Sequence, residues 1–267
     1  MTSYHTGTER LLAEADGGIA TITFNNPAKR NALSRDMQAA LPGVLRALDA
    51  DPDVRVIVLR GAGDKAFVSG ADISEFAEHR TSVEDRADYD RNRADAGRAW
   101  AEVTKPVIAQ IRGFCMGGGL LTALSADIRI AADDATFGVP AARLGLGYPL
   151  SGVAALTAVV GAGWTAEILF SARRLSAAEA LRAGLVNRVV PVDRLAAAVG
   201  DLAGQIAGNA PLTVAACKAA LRELARPRDQ RDTAGVAALV EACFRSEDYR
   251  EGQRAFAEKR PPEFRGR

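Results

Sequence analysis

The segment Gly113-Phe114-Cys115-Met116-Gly117-Gly118-Gly119-Leu120-Leu121 decides how this chain is read. It follows a short, β-branched apolar run at 106–111 (PVIAQI), whose opening proline suits a strand start. It precedes an apolar, alanine-containing run at 120–126 that reads as a helix. A strand that feeds a helix through three consecutive glycines leaves backbone N–H groups facing outward, unshielded by side chains. Such groups, backed by the helix dipole, can hold an anion or a developing oxyanion. Two familiar phosphate loops do not match. A P-loop places Lys and Ser/Thr after its second glycine, whereas Gly118 is followed by Gly119 and Leu120. A dinucleotide fingerprint needs a small residue three positions after Gly119, where Thr122 stands. A tight turn with close helix packing accounts for the same glycines, and at this point both readings stand.

Working outward, 267 residues can bury a substantial core and form one large domain with an appendage. The chain is 48% hydrophobic and 25% charged, which places it among ordinary globular proteins. A net charge of +1 points to neither nucleic acid nor an anionic membrane, although local basic residues can still meet an anionic ligand. Cys115, Cys217 and Cys243 are far apart and odd in number, and the N-terminal letters MTSYHTGTER lack an export core. They read as reduced thiols in a cytoplasmic protein. No CxxC or His pair suggests a metal site, and no apolar run approaches a membrane span.

Segments 10–14 and 19–24 flank Gly17-Gly18 and alternate as a β-hairpin. The second ends in Asn25-Asn26-Pro27-Ala28-Lys29-Arg30-Asn31-Ala32-Leu33, a polar loop with two adjacent cations. Ser34 caps a helix running to Asp49, with Pro42 expected to shorten or kink it. Segment 54–59 (VRVIVL) reads as a buried strand and leads into 61–73, a loop containing a short strand. From 74 to 103 the chain has helical propensity and dense charge, which reads as a solvated face; a lid is the functional alternative. Strands follow at 106–111 and 127–131, then helices at 151–160, 165–171 and 176–183, and a strand at 185–190 after Gly184 stops the helix. Beyond Pro191 the segments 193–207, 211–225, 230–245 and 248–259 all read as helices. The organisation is therefore an α/β core over 1–200 and a helical region over 201–267.

Taken in order, several segments resemble the crotonase superfamily, the enoyl-CoA hydratase/isomerase family. They are Asn25-Asn26-Pro27 with Asn31-Ala32-Leu33, and Lys65-Ala66-Phe67-Val68-Ser69-Gly70-Ala71-Asp72-Ile73. Lys105-Pro106-Val107-Ile108-Ala109, the glycine segment, Ala126-Asp127-Ile128, Thr136-Phe137-Gly138-Val139-Pro140 and Phe256-Ala257-Glu258-Lys259-Arg260-Pro261-Pro262 complete the series. Each is weak alone; the ordered set spans nearly the whole chain. The resemblance implies a crotonase-like spiral of ββα turns with a C-terminal helical trimerisation region, assembled as a homotrimer or a dimer of trimers. It implies an acyl-CoA thioester as substrate or ligand, with no separate cofactor. In this family two backbone N–H groups polarise the thioester carbonyl and stabilise the enolate. Matching positions puts them at Ala71, after Ser69-Gly70, and at Gly118, after Gly117. Loss of one such donor typically costs ~2.7–4 kcal/mol of transition-state stabilisation. The same matching assigns Lys29, Arg30 and Lys65 to the CoA adenine and phosphates, and Phe256 and Lys259 to the CoA of a neighbouring subunit. Surface solvation explains any one of these cations equally well.

The chain departs from the family where its hydratases carry two glutamates that activate water. The first position is Leu121 and the second is Ala141, and neither can carry a proton. Tyr148, in a segment that lines the acyl pocket of relatives, can donate a hydrogen bond, but with a reference pKa near ~10 it is a poor base. Arg143 can pair with a substrate carboxylate or serve structure. Asp72, Glu75 and Glu78 read as a capped, solvated helix, and His79 as an exposed histidine. His5 sits on the tail, Asp127 resembles a structural position, and Cys115 reads as a buried, inert thiol. Three functions compete: an acyl-CoA enzyme with a non-standard acid or base, a non-catalytic acyl-CoA carrier or sensor with an apolar pocket, and a nucleotide-binding α/β protein. Both failed phosphate loops count against the last.

Overall fold

Strand pairs divided between two sheets organise the chain. The computed structural model describes residues 1–72 and 83–267. The hairpin around Gly17-Gly18 forms from β2 (Leu11–Asp16) and β3 (Ile19–Phe24), and a short strand unsignalled in the sequence, β1 (Thr2–Tyr4), extends it. The sheet continues in parallel through β4 (Val56–Gly61), β6 (Val107–Ile111), β8 (Ile128–Ala132) and β11 (Arg188–Val190), in the order β1-β2-β3-β4-β6-β8-β11. A smaller sheet takes β5 (Ala66–Val68), β7 (Phe114–Met116) and β9 (Thr136–Gly138) in parallel, with β10 (Leu175–Ser176) antiparallel at its edge. After β4, β6 and β8 the chain crosses each time to a strand of the smaller sheet, and a helix follows each crossing. This is the expected spiral of ββα turns.

The continuous apolar letters of β4 are explained by burial on both faces. Ile57 and Leu59 join the main core with Phe24, Phe67 and Leu45. Val56 and Val58 face the other way, onto Ile108, Ile130 and the helix carrying Leu195, Val199 and Ala203. That helix, α6 (Leu195–Ala207), contains residue 200, so the division between core and helical region read from the sequence falls inside an element packed on the large sheet.

Two helices correct the sequence reading. Helix α1 (Arg35–Ala50) runs through Pro42 without ending. Its face of Met37, Leu41, Val44, Leu45 and Leu48 is at most 5% exposed. With each fully buried aliphatic side chain contributing ~1.5–3 kcal/mol, that face outweighs the ~3 kcal/mol penalty of an interior proline. Helix α2 (Val83–Glu102) is followed by α3 (Gly118–Leu124), which starts inside the glycine triplet. Helix α4 (Leu150–Ser171) then joins two segments read as separate helices, with non-helical Gly161 (φ 75, ψ 169) at the joint. Joined, it is long and apolar enough to cross a membrane by length and composition, contrary to the expectation that no run approaches a span. Gly152, Leu156, Val160, Thr165 and Ile168 are nevertheless buried in the protein itself.

Helix α5 (Ala177–Arg182) begins with a capping box between Ser176 and Glu179. The C-terminal region is helical, as expected: α7 (Pro211–Leu224), α8 (Thr233–Arg245) and α9 (Glu247–Glu258). Cations fasten α7 to the core. Lys218, 7% exposed, donates to the Asp127 carboxylate (2.8 Å) and to the Lys105 carbonyl (2.6 Å), and burial pushes its pKa down. Arg222 donates to the Val103 carbonyl at the C-terminal end of α2, where a cation also meets the negative end of the helix dipole.

Candidate active site

The site begins with a single backbone bridge. Leu33 lies just before α1 and pairs in parallel with Ala71, just after β5. Leu33 N–H donates to the Gly70 carbonyl (2.8 Å), and the Leu33 carbonyl accepts from Asp72 N–H (3.0 Å). In a parallel pairing of this kind, the residue between the two bonded neighbours turns its own N–H to the other side. Ala71 N–H therefore points away from Leu33, and it has no hydrogen-bond acceptor among the described residues.

Helix α3 starts on that other side. Its first residue is Gly118, preceded by Gly117 with a left-handed φ of 51°, whose N–H donates to the Gly138 carbonyl (2.8 Å). Gly118 N–H is in the first helical turn, where N–H groups have no partner within the helix. A Cβ placed on Gly118 would stand 3.6 Å from Ala71 N and 3.6 Å from Leu33 Cδ1. The two N–H carriers are thus neighbours across a gap that a methyl group would fill. Gly119 serves packing instead: a Cβ there would come within 2.1 Å of the Val68 carbonyl oxygen, so only glycine lets α3 rest on β5. The packing reading of the glycine triplet holds at Gly119, while Gly118 brings its N–H beside Ala71 N. The strand β7 inside the motif was missed because three residues carry no usable periodicity.

Apolar side chains occupy the next turn. Leu121 and Tyr148 are half-buried and both approach Gly152, where a Cβ would stand 3.5 Å from Leu121 Cδ1 and 2.8 Å from Tyr148 Cε1. The Tyr148 hydroxyl is buried. Ala141 packs against the main core in the 3-10 turn Pro140–Leu144, next to Pro140 at the edge of Gly117. Arg143 is exposed.

Asp72 is not the solvated helix residue expected. It is 5% exposed and accepts from Lys29 Nζ at 2.7 Å, so the nearest described carboxylate to Ala71 in sequence is buried in an ion pair. A buried carboxylate needs such a partner, and the bridge at Leu33 carries Asp72 inward. Lys29 is about half exposed. Arg30 lies over the Phe114 ring at 5.0 Å, and Arg174, which no motif singles out, lies at 5.2 Å from the same ring. Lys65 is exposed in the loop before β5, and Ser69 N–H donates to the Arg30 carbonyl (3.1 Å). Phe256, 87% exposed, and Lys259 lie at the end of α9, which packs on α8. Cys115 is fully buried and burial pushes its thiol pKa up, which makes it inert. Asp127 accepts from Val107 N–H (2.7 Å) and Lys218, a structural contact, and His5 is exposed. Ile73, Glu75, Glu78 and His79 lie outside the described residues.

Comparison with known proteins covers nearly the whole chain. The family model for enoyl-CoA hydratase/isomerase matches residues 14–267. A short-chain-enoyl-CoA hydratase from Clostridium acetobutylicum is 36% identical over 250 residues, covering 94% of this chain and 95% of that protein. A crotonyl-CoA hydratase from Syntrophomonas wolfei is 35% identical over 256 residues, covering 96% and 98%. The crystal structure of an enoyl-CoA hydratase/carnithine racemase from Magnetospirillum magneticum superposes with a TM-score of 0.90 at 36% identity, covering 97% of each chain. Fold, motif order and extent of match agree, and the chain belongs to the enoyl-CoA hydratase/isomerase family.

Proposed function

We propose that this protein is an acyl-CoA enzyme that holds the thioester oxygen between the N–H groups of Ala71 and Gly118 and stabilises the enolate formed there. The observation that carries the reading is the Leu33 bridge, which turns Ala71 N–H toward the gap beside Gly118. Two preorganised donors aimed at one oxygen matter most when negative charge develops on it. The relatives named hydratases support hydration or isomerisation of enoyl-CoA as the nearest reaction class. Leu121 and Ala141 leave that class without its two usual carboxylates, so proton transfer falls to another group. Tyr148 is the candidate, because its ring and Leu121 both approach Gly152 at the same corner.

Lys29, Arg30 and Lys65 are assigned to the CoA phosphates, with Ser69, Gly70, Asp72, Ile73 and Gly117 framing the thioester. Lys29 is the least available of these, being committed to Asp72. Phe256 and Lys259 are assigned to the CoA of a neighbouring subunit in a trimer or a dimer of trimers. The exposed Leu221, Leu224, Val240 and Phe244 of the C-terminal helices support such an assembly. We place the protein in the cytoplasm, with its three cysteines reduced.

A second reading has its own support. Leu121 and Ala141 make the corner beside the two donors apolar, which suits retention of an acyl chain by a carrier or sensor. A panel of enoyl-CoA esters, assayed for turnover and for binding with the same protein, separates the two. Turnover abolished in Tyr148→Phe supports the enzyme with Tyr148 as its proton handler. Tight binding with no turnover of any ester excludes catalysis and leaves the carrier.

A further inference from the structure

Asn31 is 1% exposed and has a left-handed backbone, φ 55. Its side chain makes three hydrogen bonds: Oδ1 accepts from Asn26 N–H (3.0 Å), while Nδ2 donates to the carbonyls of Ala62 (2.9 Å) and Ala66 (2.8 Å). Few residue types meet this set of demands. Asparagine and aspartate are the non-glycine residues that most readily take left-handed backbone. Only asparagine of the two carries both donors and an acceptor on a short stem. Glycine would take the backbone but forfeit all three bonds, one of them fully buried and two part-buried.

The position of these bonds gives them a use beyond stability. The segment 62–72 leads through β5 to Ala71. Asn31 grips the start of that segment through its side chain, at Ala62 and Ala66. The residues on either side of Asn31 grip its end through their backbone: Arg30 at Ser69, and Leu33 at Gly70 and Asp72. One short stretch, 30–33, therefore holds both ends of the segment that carries Ala71 N–H. We propose that Asn31 is a positioning residue that fixes the direction of Ala71 N–H and thereby the polarisation of the thioester carbonyl. This rests on the reading of Ala71 and Gly118 as the thioester donors.

The test uses the full-length protein and butyryl-CoA labelled with carbon-13 at its carbonyl, a saturated ester that hydration cannot consume. Difference infrared spectroscopy reads the carbonyl stretch of the bound ester. The wild-type protein lowers that stretch. Asn31→Gly keeps the backbone conformation and removes all three bonds; Asn31→Asp keeps size and acceptor and loses both donors. Both variants are expected to lose most of the downshift with little change in affinity, and to turn over any active ester about tenfold more slowly or worse. In Asn31→Asp the downshift returns in part as pH falls, because a protonated carboxyl donates once again. A wild-type protein that binds the ester without any downshift overturns the donor reading itself. A wild-type downshift kept by both variants overturns the role of Asn31 alone. If neither variant folds, Asn31 serves global stability and the inference is overturned as well.

Discussion

Two corners of this site lie within one helical turn on α3 and are made of different material. At Gly118 the groups proposed to act on the thioester are backbone N–H donors, placed by the bridge from Leu33 to Ala71 and by the close seat of α3 on β5. At Leu121 the corner is made of side chains, with Leu121 and Tyr148 both beside Gly152 and Ala141 packed against the core. The backbone corner depends on conformation and close approach, so many sequences can build it. The side-chain corner is decided letter by letter, and Leu121 and Ala141 leave it without a carboxylate at either position. The difference teaches that a corner built from backbone constrains few letters, whereas a corner built from side chains changes with each of them.

The largest test restores the missing letters. Leu121→Glu with Ala141→Glu should raise crotonyl-CoA hydration by about 10²–10⁴-fold, the usual contribution of general acid–base groups. The measurement is loss of the enoyl absorbance, with butyryl-CoA binding checked in parallel. No gain in a variant that folds and binds normally would show that the side-chain corner differs by more than its two carboxylates.

The next test breaks the other corner. Gly118→Pro removes one N–H at the first helical position, where proline is tolerated because that N–H has no helical partner, and its ring also enters the gap beside Ala71 N. Turnover of any accepted ester should fall by about 10²–10³-fold, ~2.7–4 kcal/mol, with α3 retained by circular dichroism. A drop confined to affinity, with turnover of the bound ester unchanged, would mean that Gly118 helps hold the ester and contributes nothing as charge develops.

How far each corner was legible in the letters follows from the same difference. The ββα spiral, the glycine segment and the pairing of Ala71 with Gly118 all came through ordered motifs, since turns and close approaches restrict residue type. The inward turn of Asp72 did not, because the Leu33 bridge that carries it inside is a contact between residues 38 apart in sequence and uses only backbone atoms. Pro42 misled for the opposite reason. Its local penalty is legible, while the five-residue face that overrides it acts only once the sheet is present. Residues 73–82, which carry Glu75, Glu78 and His79, lie outside the described residues, so the letters alone speak for them.

A smaller effect is expected at Gly152, the floor beneath the side-chain corner. In Gly152→Ala the new methyl must displace the Tyr148 ring, since it would otherwise sit 2.8 Å from Cε1. Overpacking of this kind costs ~1–3 kcal/mol, read as a lower melting temperature. If Tyr148 handles the proton, turnover falls with it and the ester carbonyl downshift does not, because the donors are in the other corner. A variant that loses the downshift while keeping turnover would invert that assignment.

The smallest effect tests whether the backbone corner is supported from outside. Gly117 N–H, just before Gly118, donates to the Gly138 carbonyl on β9, and β9 pairs with β10. Behind Gly138 the Arg173 carbonyl stands so close that a Cβ would come within 2.9 Å of it. Glu179 holds this edge: its carboxylate accepts from Ser176 N–H (2.8 Å), Ser176 Oγ (2.9 Å) and the Arg173 guanidinium (2.8 Å). Those bonds, led by the one from the Ser176 backbone, lower its pKa from an ordinary 4.5 to about 2. A carboxylate depressed on folding stabilises the folded chain fully above its unfolded value, and that stabilisation is lost as pH falls through the folded value. Between pH 4.5 and about 2 the wild-type protein should therefore lose stability more steeply than Glu179→Gln, by up to one proton in the slope. Because both partners of the Arg173–Glu179 pair are partly open to water, the difference should be small and should shrink with added salt. Parallel acid-denaturation curves would remove Glu179 from the support of β10. A carbonyl downshift at neutral pH unchanged in Glu179→Gln would then show that β9 presents Gly138 to Gly117 by its own pairing with β7, and that the backbone corner needs no charged prop.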